Sequence, residues 1–326
     1  MSLANTATDS LLSLENIEKA LQVIDPIFLN TPQFRSDILS RLLGMDFVLK
    51  VETVNPIRSF KGRGTEYFMS RQQDGPKTLV CASAGNFGQG LVYSARRRGF
   101  SVIVFAAESA NPLKVERMRE LGGEVRLMGS DFDEAKDHAR EFAKKSGAQF
   151  VEDGNDPAIA EGAGTIAVEL CRGAALFDAL LIPLGDGALL AGIGCWMKAH
   201  SPSTRIIGVC AAGAPAMATS WREGKVCSSE SISTIADGIA VRVPVRESLL
   251  TLKGLVDEIL LVEDEAMIDA MRLVLRHHGL VTEPSGVAGL AAAVTYKQQF
   301  RGAHVATPLC GGNVTAEQMR HWFSEV

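Results

Sequence analysis

Short apolar runs alternate with amphipathic stretches along most of this chain. Phe47-Val48-Leu49-Lys50-Val51, Leu79-Val80-Cys81-Ala82, Ser101 to Ala106, Glu124 to Met128 and Phe150-Val151 read as strands. Ala179 to Pro183, Ile206 to Cys210, Glu258 to Val262 and His304 to Leu309 continue the series. Helix-like periodicity falls between them, over Gln89 to Arg98, Pro112 to Leu121, Phe132 to Lys145, Ala191 to His200, Asp264 to His278 and Gly286 to Gln298. The strands are near-continuously apolar, with β-branched residues, which is what burial on both faces selects. The pattern therefore predicts an α/β fold with largely parallel sheets covered by helices. Residues 211–250 mix small residues, Ser and Pro with no clean period, and irregular structure over a surface or subunit contact is expected there. No internal repeat or low-complexity tract interrupts the alternation.

Length and composition narrow the class. A chain of 326 residues suits about two domains at roughly 150 residues each. A net charge of −5 provides no basic field for nucleic acid, so small molecules or other protein chains are the expected partners. The cysteines at 81, 171, 195, 210, 227 and 310 form no C-x-x-C pair, which argues against a disulfide framework or zinc site and for a reducing compartment. No apolar run approaches the roughly 20 residues of a membrane span. Met1 to Ser10 lacks the charged and apolar regions of a secretory signal, so a cytoplasmic protein is expected.

Ligands of open α/β sheets bind outside the carboxyl ends of the strands, and four turns at such ends carry candidate chemistry. In Ser59-Phe60-Lys61-Gly62-Arg63-Gly64, a lysine with glycines close behind it follows a buried strand. A desolvated amine there can lose its proton and form a Schiff base; a solvated lysine at a helix start is the alternative. Ser83-Ala84-Gly85-Asn86-Phe87-Gly88-Gln89-Gly90 lets backbone N–H groups approach a carboxylate at a helix N-terminus, or simply makes a tight turn. Asn86 can both donate and accept. Pro183-Leu184-Gly185-Asp186-Gly187-Ala188-Leu189 suits a single phosphate held by backbone, with Asp186 as a helix cap in the plainer reading. Finally, Pro308-Leu309-Cys310-Gly311-Gly312-Asn313 delivers a thiol that either faces a ring nitrogen or packs as a small hydrophobe. An amine, a carboxylate seat, a phosphate seat and a ring-nitrogen neighbour together match a cofactor with an aldehyde, a phosphate and a heterocycle, namely pyridoxal 5'-phosphate.

Seven motifs stand in order: S-F-K-G-R-G at 59–64, S-A-G-N-F-G-Q-G at 83–90, E-G-A-G-T-I-A-V-E at 161–169, G-D-G-A-L at 185–189, A-D-G-I-A-V at 236–241, E-P-S-G at 283–286 and C-G-G-N at 310–313. In them the chain resembles the serine/threonine dehydratase family of pyridoxal-phosphate enzymes (fold type II, tryptophan synthase beta-like), from about Thr31 to Asn313. The resemblance implies two α/β domains with the cofactor in the cleft between them, the smaller (76–152) inserted into the larger (1–75 and 153–326). It implies that Lys61 carries the cofactor and moves the Cα proton, that Phe60 packs beside the ring, and that Asn86 bonds the ring hydroxyl. Ser83, Ala84, Gly85, Asn86 and Phe87 would bind the substrate carboxylate, Gly185, Asp186, Gly187, Ala188 and Leu189 the phosphate, and Cys310 would sit at the ring nitrogen. Glu283 would approach the ring from the far side, or act only as a charge at a helix start.

The activity so implied is loss of water from a threonine- or serine-type amino acid, giving a 2-oxo acid and ammonia. The alternatives are racemisation, β-replacement or ammonia loss from a diamino or hydroxy-dicarboxylic amino acid on the same scaffold, and a non-catalytic amino-acid or cofactor-binding protein. A homodimer is expected, and so is the lack of a regulatory domain after C-G-G-N. Several positions depart from the pattern. Asp186 and Ala188 stand where many relatives have glycine, Phe87 replaces a common histidine, and Cys210 replaces a glutamate that helps bind a cation, so no metal is expected. Ala84 stands where related racemases use an acid/base serine, which favours one-sided elimination. His277-His278 reads as a helix-dipole partner rather than a ligand pair, and Arg96-Arg97-Arg98 as a solvated helix end.

Overall fold

The computed structural model describes residues 11–72, 77–83, 85–173 and 176–324. Its strands, in chain order, are β1 (Gln33–Arg35), β2 (Asp46–Val51), β3 (Thr78–Ala82), β4 (Ser101–Ala106), β5 (Glu124–Leu127), β6 (Gln149–Phe150), β7 (Ala179–Pro183), β8 (Arg205–Ala211), β9 (Glu258–Val262) and β10 (His304–Leu309). The helices are α1 (Leu14–Val23), α2 (Asp37–Leu43), α3 (Lys61–Ser70), α4 (Asn86–Arg96), α5 (Pro112–Glu120), α6 (Phe132–Ser146) and α7 (Pro157–Leu170), then α8 (Ala188–His200), α9 (Ala216–Glu223), α10 (Arg246–Leu252), α11 (Asp264–His278), α12 (Pro284–Thr295) and α13 (Ala316–Trp322).

Two sheets result. One has the order β1-β2-β10-β7-β8-β9, parallel except for β1; the other has the order β5-β4-β3-β6 and is parallel throughout. Successive side chains on a strand point to opposite faces, and here both faces are apolar. In β7, Leu180 and Ile182 join the core shared with α3, α7 and α8, whereas Ala179 and Leu181 join the core under α11 and α12. In the smaller sheet Leu79, Cys81, Val102 and Val104 face α4 and α5, while Val80, Ile103 and Phe105 face Ala139 and Ala143 of α6. This double burial is why the strands read as unbroken apolar runs.

Where the expected bounds moved, a glycine or proline explains it. Helix α4 starts at Asn86 rather than Gln89 and α8 at Ala188 rather than Ala191, because Gly85 and Gly187 serve as their N-caps and release the chain into helix at once. Helix α12 starts at Pro284, a proline at the first helical position. Region 211–250 is not simply irregular: α9, a short 3₁₀ turn (Asp237–Ile239) and α10 lie in it. Helix α9 buries only Ala216, Met217 and Ser220, too small a face to stand out as a period. Helix α7 escaped the periodicity for the opposite reason, being buried nearly all round, Glu161, Thr165 and Glu169 included. It crosses α8 so closely that a Cβ on Gly192 would lie 2.0 Å from the Ala160 carbonyl oxygen. The domain boundary expected near 75/76 and the Met1–Ser10 segment lie outside the described residues. Among the described residues no helix is long and apolar enough to cross a membrane.

Candidate active site

A cleft of about 820 Å³ opens between the two sheets, within the range of small-molecule sites. Phe60 and Lys61, Ser83, Gly85, Asn86 and Phe87, the whole Gly185–Leu189 loop, Glu283 and Cys310 all border it. Ala84, expected among them, lies outside the described residues.

Lys61 is the first residue of α3, and what holds that helix start is buried charge. Arg63, fully buried, donates to Glu52 at 2.8 and 2.9 Å, to Glu169 at 2.8 and 2.9 Å, and to Thr165 and Thr31. Lys50 completes the network at 2.5 Å from Glu169. Burial opposes the Arg63 charge, but Glu52 and Glu169 raise its pKa above the ordinary value. Burial likewise works against the Glu169 carboxylate, yet Arg63 and Lys50 hold it down to about 2. The network ties β2, α3 and α7 together directly behind the lysine. On the cleft side, Phe60 N–H donates to the Cys310 carbonyl at 3.1 Å and Ser59 bridges to Gly311, so the lysine turn is fastened to the cysteine turn. The Lys61 amine lies 4.6 Å from the Phe60 ring centroid and pairs with the Asp153 carboxylate.

The second turn is organised by Ser83, whose hydroxyl oxygen accepts from Gly85 N–H at 3.1 Å and Gly88 N–H at 2.9 Å. That bonding takes up Gly88, in the first turn of α4, and leaves the N–H groups of Asn86 and Phe87 at the positive end of the helix for a ligand. The Asn86 side chain is fixed at both ends: its amide donates to Glu283 and its oxygen accepts from Asn313 at 2.8 Å. Asn313 N–H in turn donates to Glu283 at 3.1 Å. Burial raises the pKa of Glu283, and the Lys114 amine 3.3 Å away opposes that rise. Lys114 itself bonds Asp237 at 2.9 and 2.8 Å; burial works against its charge, but Glu283 and Asp237 raise its pKa. This ammonium joins α5, beside the smaller sheet, to the start of α12, beside the larger one.

The third turn leads into α8 with no side-chain cap, Gly187 adopting φ +98°. Asp186 therefore does not cap the helix. A Cβ on Gly185 would lie 2.8 Å from the Gly238 carbonyl oxygen, so only glycine lets this loop seat so deeply. Uncapped N–H groups beside a space that side chains leave open are what a small anion needs. At the fourth turn Cys310 is both buried and on the cleft, and burial, then Glu283, push its thiol up well beyond the ordinary range, so it stays neutral.

These residues fit pyridoxal phosphate: an amine, an anion seat of uncapped backbone N–H groups, an amide held by Glu283 and Asn313, and a neutral thiol share one cleft. Sequence reasoning missed Asp153, Lys114, Asp237 and Asn313 as members of it. Asn313 and Asp237 had a signal, as members of C-G-G-N and A-D-G-I-A-V; Asp153 and Lys114 sit in segments whose chemistry appears only when the sheets meet. His278 Nε2 instead bonds Ser36 Oγ at 2.9 Å between α2 and α11. The Arg96–Arg98 run is not merely solvated: Arg97 pairs with Asp25 and Arg98 with Glu66, while Arg96 stacks over Tyr93. Among the described residues no group of three or more His, Cys, Asp or Glu side chains could hold a metal ion.

Comparison with known proteins follows the same line. Residues 24–311 match the family model described as pyridoxal-phosphate dependent enzyme. An L-threonine ammonia-lyase from Thermotoga maritima is 32% identical over 93% of this chain and 76% of its own length. A second, from Geobacter sulfurreducens, is 36% identical over 87% of this chain and 71% of its own. Among solved structures, the processed form of threonine deaminase isoform 2 from Solanum lycopersicum superposes with a TM-score of 0.86 at 29% identity, covering 96% of this chain and 94% of that one. Maize serine racemase gives 0.89 at 26% identity, covering 96% and 97%.

Proposed function

Because the chain belongs to the pyridoxal-phosphate dependent enzyme family, we propose that it is an ammonia-lyase removing water from a threonine- or serine-type hydroxy-amino acid to give a 2-oxo acid and ammonia. The observation that carries the reading is the convergence of the Lys61 amine, the Asn86–Glu283–Asn313 chain and the uncapped Gly185–Leu189 loop on one cleft. When bound, pyridoxal phosphate supplies an aldehyde for the amine to join and a ring that draws electron density from Cα.

The residues of the chain supply the rest. The Gly185–Leu189 backbone and the positive end of α8 hold the phosphate. Lys61, also the anchoring amine, takes the proton from the substrate Cα. The N–H groups at the start of α4 receive the substrate carboxylate, and Phe87, 5% exposed, keeps water from that contact. Asn86, fixed by Glu283 and Asn313, is left one orientation toward the ring hydroxyl. Cys310, a neutral thiol, meets the ring nitrogen without adding charge. Position 84 is alanine, with no hydroxyl to serve the second face of Cα, which supports elimination over D/L interconversion.

Residues 76–152 form the smaller inserted domain in this reading, and the enzyme acts as a cytoplasmic homodimer. The test is direct. Purified holoprotein given L-threonine or L-serine should release 2-oxo acid and ammonia in equal amounts, and borohydride reduction should leave the pyridoxyl group on Lys61. Interconversion of enantiomers without 2-oxo acid would refute the reading, as would an adduct on any other lysine.

A further inference from the structure

Two carboxylates stand at the anion seat, and the roles assigned above use neither. Asp153 pairs through one oxygen with Lys61, while its other oxygen, Oδ1, is buried and has no hydrogen-bond partner. Asp186 belongs to the seat itself. The segment carrying Asp153 lies directly on it: a Cβ on Gly154 would meet the Asp186 carbonyl oxygen at 2.5 Å and the Asp186 Cβ at 3.1 Å. Ser248 of α10 holds that segment down through a 2.9 Å bond to the Gly154 carbonyl.

We propose that Asp186, with the Asp153 carboxylate facing it, takes up one proton when the Gly185–Leu189 seat receives a phosphate group. The inference rests on that loop being the phosphate seat. Its physical basis is charge. The groups facing Asp186 are Asp153 and Glu152 from the segment before α7, Lys61 from α3, and Lys136 from α6. Lys136 is shared with Asp133 and Glu152, at 3.6 and 3.5 Å, and Arg140 is spent on Glu152 at 2.8 Å. Two ammonium groups therefore face three carboxylates before any ligand arrives. Burial, reinforced by Asp153, already pushes Asp186 up to about 7, against the pull of Lys61 and Lys136. A phosphate dianion beside the pair raises it further, so at pH 8 binding draws a proton from solvent onto a carboxylate.

The test uses 4'-deoxypyridoxine 5'-phosphate, which cannot join Lys61 covalently, titrated into the cofactor-free full-length chain between pH 7 and pH 9. With one proton linked, the dissociation constant should rise by up to about tenfold per pH unit more steeply in the wild type than in D186N. Calorimetry in two buffers of different ionisation heat should count about one proton taken up by the wild type, about none by D186N and fewer by D153N than by the wild type. A G187A control, which strains the seat at its positive φ, should weaken binding at every pH. Equal pH slopes and equal proton counts in wild type and both variants, with G187A still weakened, would overturn the carboxylate pair alone. Unaltered binding by G187A would overturn the seat assignment and the pair with it.

Discussion

Replacing Glu169 by Gln tests the foundation under Lys61. Glu169 is 3% exposed and bonds Arg63 twice, Lys50 and the Asn30 N–H, so its charge is matched by buried partners that have no substitute. Held at about 2 against an ordinary 4.5, the carboxylate contributes about 3.4 kcal/mol of stability at neutral pH. The sign follows from the depressed folded value: the contribution is fully present above 4.5 and fades as pH falls toward 2. Between pH 6 and 3.5 the wild type therefore loses about 1.4 kcal/mol from this group, which E169Q cannot lose. At roughly 2 °C per kcal/mol for a chain of this size, E169Q should melt about 7 °C below the wild type at pH 6 and about 4 °C below it at pH 3.5. Differential scanning of both holoproteins across that range is the assay. A gap that stays constant with pH, or that is under about 2 °C at pH 6, would refute the account of a buried charge network supporting α3.

Lys61→Ala should abolish the borohydride-trapped adduct and lower 2-oxo acid formation by at least about 10³-fold, since the anchor and the base are lost together. In Gly286→Ala the new Cβ would meet the Gly311 carbonyl oxygen at 2.3 Å and shift the turn that carries Cys310; cofactor affinity, followed by absorbance titration, should fall about 5- to 150-fold, as expected of a 1–3 kcal/mol overpacking. Lys114→Met leaves Glu283 buried without its cation, and a loss of about 3–5 kcal/mol should appear as a melting point at least about 6 °C lower. An unchanged melting point would mean that the tie across the cleft is idle.

Local physics alone carried most of the architecture. Val80, Ile103, Leu181 and Val209 sit in strands buried on both faces, and unbroken apolar runs announce that condition wherever they occur. The seven motifs in register announced the chemistry, because a glycine-containing backbone seat for phosphate, a lysine followed by glycines and a thiol before a glycine pair are each local demands on composition. The helix α7, buried nearly all round, and the eight-residue α9 were not legible, one having no solvent face to contrast with the core and the other too little of an apolar one.

Only the packing of two sheets against one cleft decided the electrostatics. Lys114 and Glu283 are 169 positions apart, and nothing local to either says that they meet at 3.3 Å or that burial will act on both. The same holds for Asp153 and Lys61, and for Asp186 among four charged neighbours. Strand and turn propensities act over a few residues, so a sequence displays them directly. A charge's environment is set by whatever the fold brings within a few ångströms, and that exists only once the chain has closed on itself.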